Sequence, residues 1–341
     1  MTKIIHVDKL STEQSGYKQA VEYLQAGDVV AFPTETVYGL GAIATNTQAV
    51  AKIFEAKGRP QDNPLIVHIG EPNNLEEFIE YVPYSAKACM DAFWPGALTL
   101  ILPLKTGVLA ENVSAGLNSV GVRMPDHSVA LELLRQLKQP VAAPSANKSG
   151  KPSPTKAAHV FHDLEGKIPL ILDGGTTGLG LESTVVDFTS EIPTILRPGG
   201  VTKEMLENVI GLVNEAKPTD SAEAPKAPGM KYAHYAPDAP VFLIEDSQEK
   251  VRKAIDLIHR ENKKVALIAG NQYASQEADD FFTLGDSHLE EAAQLLYEAL
   301  RSCDQTNVDV VLIPVFPKKG IGRAIMNRLE KAANGNWFDL E

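Results

Sequence analysis

The sequence is poor in the residues that build disulfide scaffolds and zinc sites. Its only two cysteines, Cys89 and Cys303, lie far apart and form no CxxC spacing. Two cysteines cannot make a disulfide framework, so we expect a protein of the reducing cytoplasm. The eight histidines show no HxxxH spacing, and we therefore expect no metal site built from protein side chains.

Long apolar runs and excess basic charge are also scarce. No run approaches the roughly 20 apolar residues of a membrane helix, and the first eight residues lack the apolar core of a signal peptide. We expect an unexported protein without membrane partners. The formal net charge of −12 argues against a basic nucleic-acid binder, although a local basic cavity remains compatible with it.

What is present is an ordinary globular composition, with 44% hydrophobic and 22% charged residues over 341 positions. A chain of this length predicts two domains. The polar, Pro-rich stretch at 217–229 is typical of a linker. We therefore predict one domain at 1–212, a linker or lid segment at 213–238 and a second domain at 239–341.

The first domain alternates short β-branched runs with amphipathic stretches, which predicts an α/β fold with a twisted mixed sheet. Ser128 and Thr155 are predicted helix N-caps. The predicted strands are 29–32, 65–69, 98–102, 121–123, 141–143, 168–172 and 184–187. The predicted helices are 12–26, 47–56, 73–93, 128–137, 155–164 and 202–213.

The second domain shows a more regular alternation, which predicts a small, open, parallel α/β sheet of Rossmann-like type. Its predicted strands are 241–244, 264–269, 282–284 and 308–314. Its predicted helices are 248–261, 289–303 and 321–333.

Compact polar and cationic side chains interrupt the apolar stretches of the first domain. Lys57 and Arg59 lie in KGRP, Ser145 and Asn147 in SAN, and Arg123 ends the strand-like VGVR. Lysine supplies a mobile charge and arginine a planar fork, and phosphate suits both. Taken singly, such cations are usually solvated surface residues, and Ser or Asn after proline often only caps a turn. Together they suggest a cavity for an anionic ligand.

The order of these motifs carries a family resemblance. FPTETVYGLG at 32–41 precedes KGRP, NPLIVH at 63–68 follows it, and GLESTVVD at 180–187 and LRPG at 196–199 come after SAN. The set resembles the YrdC-like family, and more closely its two-domain L-threonylcarbamoyladenylate synthases, over about residues 5 to 240.

The resemblance implies an ATP-dependent reaction that joins L-threonine and bicarbonate to AMP, with release of pyrophosphate. The product supplies N6-threonylcarbamoyladenosine synthesis in tRNA, so the downstream threonylcarbamoyl-transfer machinery is an implied partner, and direct tRNA contact is left open. Mg²⁺ is expected with ATP, and no permanent cofactor is expected. Such chemistry depends on positioning and charge neutralisation.

The resemblance also implies roles for residues of the nucleotide half. Lys57 and Arg59 match the phosphate-binding pair and would stabilise the departing pyrophosphate, which makes them the catalytic candidates. Ser153 lies near the SAN motif and is a further candidate for a phosphate hydrogen bond. The other implied nucleotide contacts are Ser145, Asn147, Arg197 and Tyr235.

Four residues are implied to bind threonine, namely Thr34, His68, Arg123 and Ser183. Each also has a simpler explanation. Thr34 is compatible with loop capping, His68 with an ordinary core histidine, and Arg123 with a structural pair to a glutamate. A proton-transfer role for His68 is left open.

The linker ends in HYAP at 234–237, a motif that lies over the catalytic cavity in the two-domain relatives. Tyr235 would reach the nucleotide there, with Lys231 and His234 as weaker candidates. A closing loop of this kind would keep water from a carbamate intermediate that otherwise loses carbon dioxide.

Two other function classes compete with the synthase. A non-catalytic RNA-binding module is disfavoured by low basicity and by the absence of RNP, KH or dsRBD patterns. A hydrogenase-maturation carbamoyltransferase is disfavoured because the chain is too short and too poor in cysteine. The sequence leaves open the oligomeric state, the lid dynamics, the catalytic base and the ligand of the second domain.

Overall fold

The computed structural model describes residues 1–7, 14–216, 225–228, 235–286 and 288–340. The chain divides into two compact units. The first comprises Met1–Ser149, Pro154–Gly178 and Glu182–Lys231. The second comprises Gly150–Ser153, Leu179–Leu181 and Tyr232–Glu341, so it includes two short pieces from the N-terminal part of the chain.

The first unit is built on a mixed sheet of eleven strands among its described residues, in the order β1-β8-β2-β3-β7-β4-β6-β5-β9-β10-β11. Its strands are β1 (Lys3–His6), β2 (Val30–Phe32), β3 (Gly39–Ile43), β4 (Ile66–His68), β5 (Leu98–Pro103), β6 (Ser119–Arg123), β7 (Val141–Ala142), β8 (Leu170–Asp173), β9 (Thr184–Asp187), β10 (Thr194–Arg197) and β11 (Asn214–Glu215).

Helices cover both faces of this sheet. They are α1 (Gln14–Gln25), α2 (Thr47–Lys57), α3 (Leu75–Phe78), α4 (Tyr84–Phe93), α5 (Glu111–Ser114), α6 (Ser128–Leu137), α7 (Ala157–Leu164) and α8 (Lys203–Ile210), with a 3₁₀ turn at Pro72–Asn74.

Strand β2 is apolar throughout because each of its faces is buried by a different cluster. In β2, Val30 and Phe32 belong to a cluster with α1 and α6, whereas Ala31 between them belongs to a second cluster. Successive residues of a strand point to opposite faces, so both faces of β2 require apolar side chains. This requirement explains the β-branched runs on which the strand predictions rested.

Several predicted details of the first unit are wrong. The predicted helix at 73–93 is interrupted before Pro83, and α4 starts only at Tyr84, because a proline cannot continue a helix from the preceding turn. Neither predicted N-cap is used. The ring nitrogen Nδ1 of His127 accepts the hydrogen bond from Val129 that was expected for Ser128, and α7 follows Lys156 instead of Thr155.

The second unit contains a four-stranded sheet, in the order β12-β15-β13-β14, whose neighbouring strands all run parallel. The strands are β12 (Val241–Ile244), β13 (Val265–Ala269), β14 (Asp280–Thr283) and β15 (Val310–Pro314). The helices are α9 (Gln248–Arg260), α10 (Leu289–Cys303) and α11 (Gly322–Ala332), with a 3₁₀ turn at Asn271–Tyr273. The predicted α/β fold with a small parallel second sheet is confirmed. No helix in the described ranges is long and apolar enough to cross a membrane.

Candidate active site

One face of the first sheet is covered by a loop segment. Ile66, Ile101 and Val185 lie on β4, β5 and β9, with β6 between β4 and β5. They pack against Ala227 of the segment 225–228. Gly121 of β6 lies among them, and a Cβ atom there would come within 3.1 Å of Thr99 and 3.2 Å of Ile101. Glycine therefore keeps this part of the face open.

Four polar residues continue the same face beyond this apolar floor. Side chains two positions apart on a strand share a face, so His68 follows Ile66, and Arg123 follows Gly121. By the same rule, Thr99 shares this face with Ile101, and Ser183 shares it with Val185. The strand registers bring the four residues to one edge, since β4 and β6 end where β5 and β9 begin. We call His68, Thr99, Arg123 and Ser183 the polar row.

The covering segment is anchored by charge as well as by apolar contact. Lys226 Nζ lies 3.0 Å from Asp187 Oδ2, and Arg197 donates from Nη1 to the Pro228 carbonyl at 3.4 Å. Ala227 between them is fully buried. Part of the predicted linker thus belongs to the first unit and lies on the sheet face that carries the polar row.

A directed chain of hydrogen bonds connects the loop after β2 to Arg123. Thr34 donates its hydroxyl proton to the Val37 carbonyl at 2.7 Å. In the 2.8 Å hydrogen bond between the two threonine hydroxyls, Thr36 is therefore the donor and Thr34 the acceptor. The Thr36 hydroxyl in turn accepts a hydrogen bond from Arg123 Nη1 at 2.8 Å. The arginine fork is held by a loop that has no regular secondary structure.

Glu35 completes this environment. Its Oε2 lies 3.3 Å from Arg123 Nη2, with the arginine side chain 4% and the glutamate side chain 16% exposed. Burial raises the pKa of Glu35 above its ordinary value, while the positive charge of Arg123 acts in the opposite direction. The simpler explanation of Arg123, a pair with a glutamate, describes one of its contacts correctly. However, Nε of Arg123 and Oε1 of Glu35 are buried without hydrogen-bond partners among the described residues.

His68 is the register partner of Arg123. Burial first, and the Arg123 charge second, hold the pKa of His68 well below its ordinary value, so its ring is neutral. Phe32 meets the ring edge-on at a centroid distance of 6.3 Å, and Nδ1 is buried without a partner. A neutral imidazole with an unused nitrogen can still exchange a hydrogen bond with a ligand.

Ser183 and Arg197 form a second cluster at the other end of the polar row. The Ser183 hydroxyl lies 2.7 Å from that of Thr99. Arg197 donates from Nε and Nη2 to the Ser183 carbonyl at 3.1 and 3.0 Å. Arg197 is 5% exposed, and its guanidinium fixes the backbone at the start of β9.

Lys57 is brought to the SAN motif. It ends α2, is 2% exposed, and donates from Nζ to the carbonyls of Ser145 at 2.6 Å and Asn147 at 2.5 Å. The Ser149 amide in turn donates to the Lys57 carbonyl at 2.8 Å. The alternative of a solvated surface lysine is therefore excluded, and the ammonium organises the loop that holds the Ser/Asn pair.

Arg59 follows the left-handed Gly58 that ends α2. It is 8% exposed and donates to the carbonyls of Asn63 at 3.3 Å and Pro64 at 3.0 Å. The buried Oδ1 of Asn63 has no partner. Arg59 therefore fixes the approach to β4.

Cationic side chains lie at both ends of the short strand β4. Arg59 holds the residues just before β4, and the Ala143 amide, which precedes the SAN loop, bonds the Ile66 carbonyl at 2.9 Å. His68 and its partner Arg123 stand at the other end of β4. A three-residue strand spans roughly 10 Å, a distance that one extended nucleotide conjugate can bridge.

The remaining candidates belong to the second unit. Ser153 is 1% exposed. Tyr235 is 4% exposed, has φ +71°, and stacks on Tyr297 with ring centroids 5.4 Å apart. The guanidinium of Arg328 lies 5.9 Å from its ring centre. Lys231 and His234 lie outside the described residues.

Sequence reasoning missed Glu35, Thr36 and Thr99 as members of the site. Thr99 carried a usable signal, because it is a polar residue inside the apolar strand LTLIL and is fully buried. Glu35 and Thr36 stood within a recognised motif but only their contacts single them out. Among the described residues, no group of three or more His, Cys, Asp or Glu side chains is arranged to hold a metal ion.

Comparison with known proteins agrees with this architecture. Residues 22–199 match the Sua5/YciO/YrdC family model, described as "Telomere recombination", and residues 201–334 match the model described as "Threonylcarbamoyl-AMP synthase, C-terminal domain". A protein of Bacillus subtilis named threonylcarbamoyl-AMP synthase is 52% identical over 96% of both chains. One of Pyrococcus abyssi with the same name is 48% identical over 98% of both.

Solved structures extend the likeness to the fold. Sua5 of P. abyssi in complex with L-threonine matches with a TM-score of 0.92 at 47% identity, covering 99% of both chains. Escherichia coli YciO matches with a TM-score of 0.53 at 24% identity and covers 58% of this chain, which shows a shared fold alone. The present chain belongs to the Sua5/YciO/YrdC family.

Proposed function

We propose that this protein synthesises threonylcarbamoyl-AMP from L-threonine, bicarbonate and ATP, with release of pyrophosphate, for the N6-threonylcarbamoyladenosine modification of tRNA. It is an enzyme of the nucleotidyltransferase class, because relatives that match it over nearly their whole length are named threonylcarbamoyl-AMP synthase. The structural observation that carries the proposal is the polar row, in which a buried arginine with a spare donor stands beside a neutral histidine.

The polar row supports an amino-acid site. The carboxylate of threonine would pair with Arg123, whose fork matches a carboxylate. Its Nε has no partner within the described ranges. His68 and Ser183 would contact the remaining atoms of threonine from the same face. Thr34 would contribute to threonine binding from the loop that holds Arg123. The L-threonine complex of the P. abyssi relative supports threonine as the substrate.

The cations at the start of β4 support a triphosphate site. Lys57 and Arg59 would hold the phosphates and stabilise pyrophosphate as it leaves, which is how positively charged side chains accelerate phosphoryl and nucleotidyl transfer. Ser145, Asn147, Ser153, Arg197 and Tyr235 would be the further nucleotide contacts.

The covering segment supports a lid. Ala227 already lies on the sheet face that carries the polar row, so the linker approaches the place where a carbamate would form. Excluding water there would protect the carbamate until it reacts with ATP. We place the domain limits at 1–212 and 239–341, with the lid at 213–238.

Mg²⁺ would enter with ATP, bound to phosphate oxygens and water as is usual for this ion. We further propose a cytoplasmic location and delivery of the product to the threonylcarbamoyl-transfer machinery. Direct binding of tRNA is an alternative that the net charge of −12 disfavours.

The test is pyrophosphate release by the purified protein with each substrate omitted in turn. We expect release only when L-threonine, bicarbonate and ATP are all present, together with an adenylate whose mass is that of threonylcarbamoyl-AMP. Equal release without threonine would contradict the proposed reaction. Binding of tRNA without any turnover would favour the RNA-binding alternative.

A further inference from the structure

Glu35 contacts the polar row through its ion pair with Arg123. Its Oε2 is engaged with Arg123. Its Oε1 is buried and has no hydrogen-bond partner in the part of the chain that the structure describes. Buried polar atoms in folded proteins are nearly always satisfied, so an unsatisfied one points to a missing ligand or water.

The unsatisfied atoms around Glu35 are complementary to an α-amino acid. Arg123 offers a spare donor at Nε, and Glu35 offers a spare acceptor at Oε1. The two side chains touch through their other atoms at 3.3 Å, so both spare atoms lie within reach of one amino-acid backbone. A carboxylate suits the arginine and an ammonium suits the glutamate, whereas a simple anion would leave Oε1 unsatisfied.

We propose that Glu35 binds the α-ammonium group of the amino-acid substrate through Oε1 and takes one proton from it. The proposal rests on the proposed function and adds a catalytic residue to it. The alternative is a purely structural role, in which Glu35 only neutralises and positions Arg123.

The step balances as follows. One N–H proton passes from the ammonium to the Glu35 carboxylate, which becomes a neutral carboxylic acid, and the nitrogen regains its lone pair. That pair forms the N–C bond to the bicarbonate carbon, whose C–O bond breaks, and the departing hydroxyl leaves as water with a second nitrogen proton. A carbamate anion results and can attack the α-phosphorus of ATP. Glu35 later returns its proton to solvent.

The surroundings suit this task. Burial raises the pKa of the Glu35 carboxyl, and a base works best when its pKa lies near the working pH. Arg123 and the backbone amides of Glu35 and Asp126 face this carboxyl and lower its pKa, whereas the charge of the Asp126 carboxylate raises it. His68, behind Arg123, is held neutral and so adds no charge.

The experiment compares the full-length protein with Glu35→Gln in threonine-dependent pyrophosphate release across pH. Glutamine keeps the shape and an acceptor for Arg123 but cannot take a proton. Near neutral pH we expect kcat to fall about a hundredfold, with the Michaelis constant for ATP changed less than twofold. The deficit should shrink only at alkaline pH, because the carboxylate of free threonine raises the pKa of its α-ammonium above the roughly 7.7–8.0 of a peptide N-terminus.

Glu71→Gln is the matched control, because Glu71 also pairs with an arginine, Arg135, but on the exposed surface. It should leave the whole pH profile unchanged. If Glu35→Gln lowers the melting temperature enough to prevent assay, Glu35→Asp serves instead. It retains a carboxylate one methylene further away and should lower kcat at every pH while keeping the wild-type shape of the profile.

Two results would overturn the role of Glu35. One is a loss in Glu35→Gln that stays constant across pH and resides in the Michaelis constant for threonine, which is the signature of a positioning residue. The other is unchanged turnover. If Glu35→Asp is the variant assayed, turnover equal to that of the wild type would also overturn this role. If the wild-type protein itself releases no pyrophosphate in response to threonine, the proposed function fails instead.

Discussion

His68 and Arg123 are register partners on the parallel strands β4 and β6, and the histidine is neutral beside the arginine. Burial is the main reason, and repulsion by the guanidinium adds to it. The pair therefore offers one fixed positive charge and one uncharged hydrogen-bonding ring. Two cations side by side would repel each other, and only the histidine can shed its charge.

This relationship predicts how stability depends on pH. The pKa of His68 is lower in the folded than in the unfolded chain, so its contribution to stability is present above the unfolded value and is lost as pH falls. Below about pH 6.5, protonation of this one histidine should lower the free energy of unfolding by up to about 1.4 kcal/mol per pH unit. Urea unfolding of wild type and His68→Asn at several pH values measures it. The variant should show a shallower loss toward acid, and identical slopes would contradict the assignment.

Arg123→Lys is expected to impair threonine use selectively. Lysine keeps the charge but cannot offer a fork, and it loses the contact with Thr36. The Michaelis constant for threonine should rise about ten- to a hundredfold, with a smaller change for ATP. Steady-state kinetics with each substrate varied separately provide the measurement. A larger effect on ATP would move Arg123 to the nucleotide half of the site.

Lys57→Met should lower turnover about ten- to a hundredfold, because a charge-assisted contact is lost and the SAN loop loses its two-carbonyl anchor. Lys52→Met is a control on the same helix, since Lys52 is half exposed and pairs with the partly exposed Asp28. Arg59→Met should resemble Lys57→Met. Near-normal turnover with unchanged melting would remove either residue from the phosphate site.

Tyr235→Ala tests the lid. If Tyr235 stacks on the adenine base, its removal should raise the Michaelis constant for ATP about tenfold, given that base stacking contributes roughly 1–3 kcal/mol. Exposed Tyr81 provides the control substitution to alanine. In the described structure Tyr235 stacks on Tyr297, so melting should be followed in parallel. Unchanged kinetics for ATP would leave the segment as a passive tether.

Much of the secondary structure could be predicted, because apolar periodicity records which residues are buried. The strand Thr184–Asp187 and the helices Ser128–Leu137 and Leu289–Cys303 have the predicted limits. The missed strands show where this information ends. Strand β3 is GLGAI, whose glycines have low strand propensity, and it exists because β2 and β7 pair with it on either side.

The motifs of the sequence by themselves determined the family and the types of side chain that the chemistry needs. Only the tertiary structure decided which of them meet. His68, Thr99, Arg123 and Ser183 are separated by 24 to 60 positions of sequence, and strand register alone puts them on one face. The tertiary structure likewise decides that Glu35 Oε1 is left unsatisfied and that Ala227 covers this face. The apolar pattern of a strand determines which of its faces is buried. It does not determine which distant strand lies beside it, and that pairing sets which side chains meet.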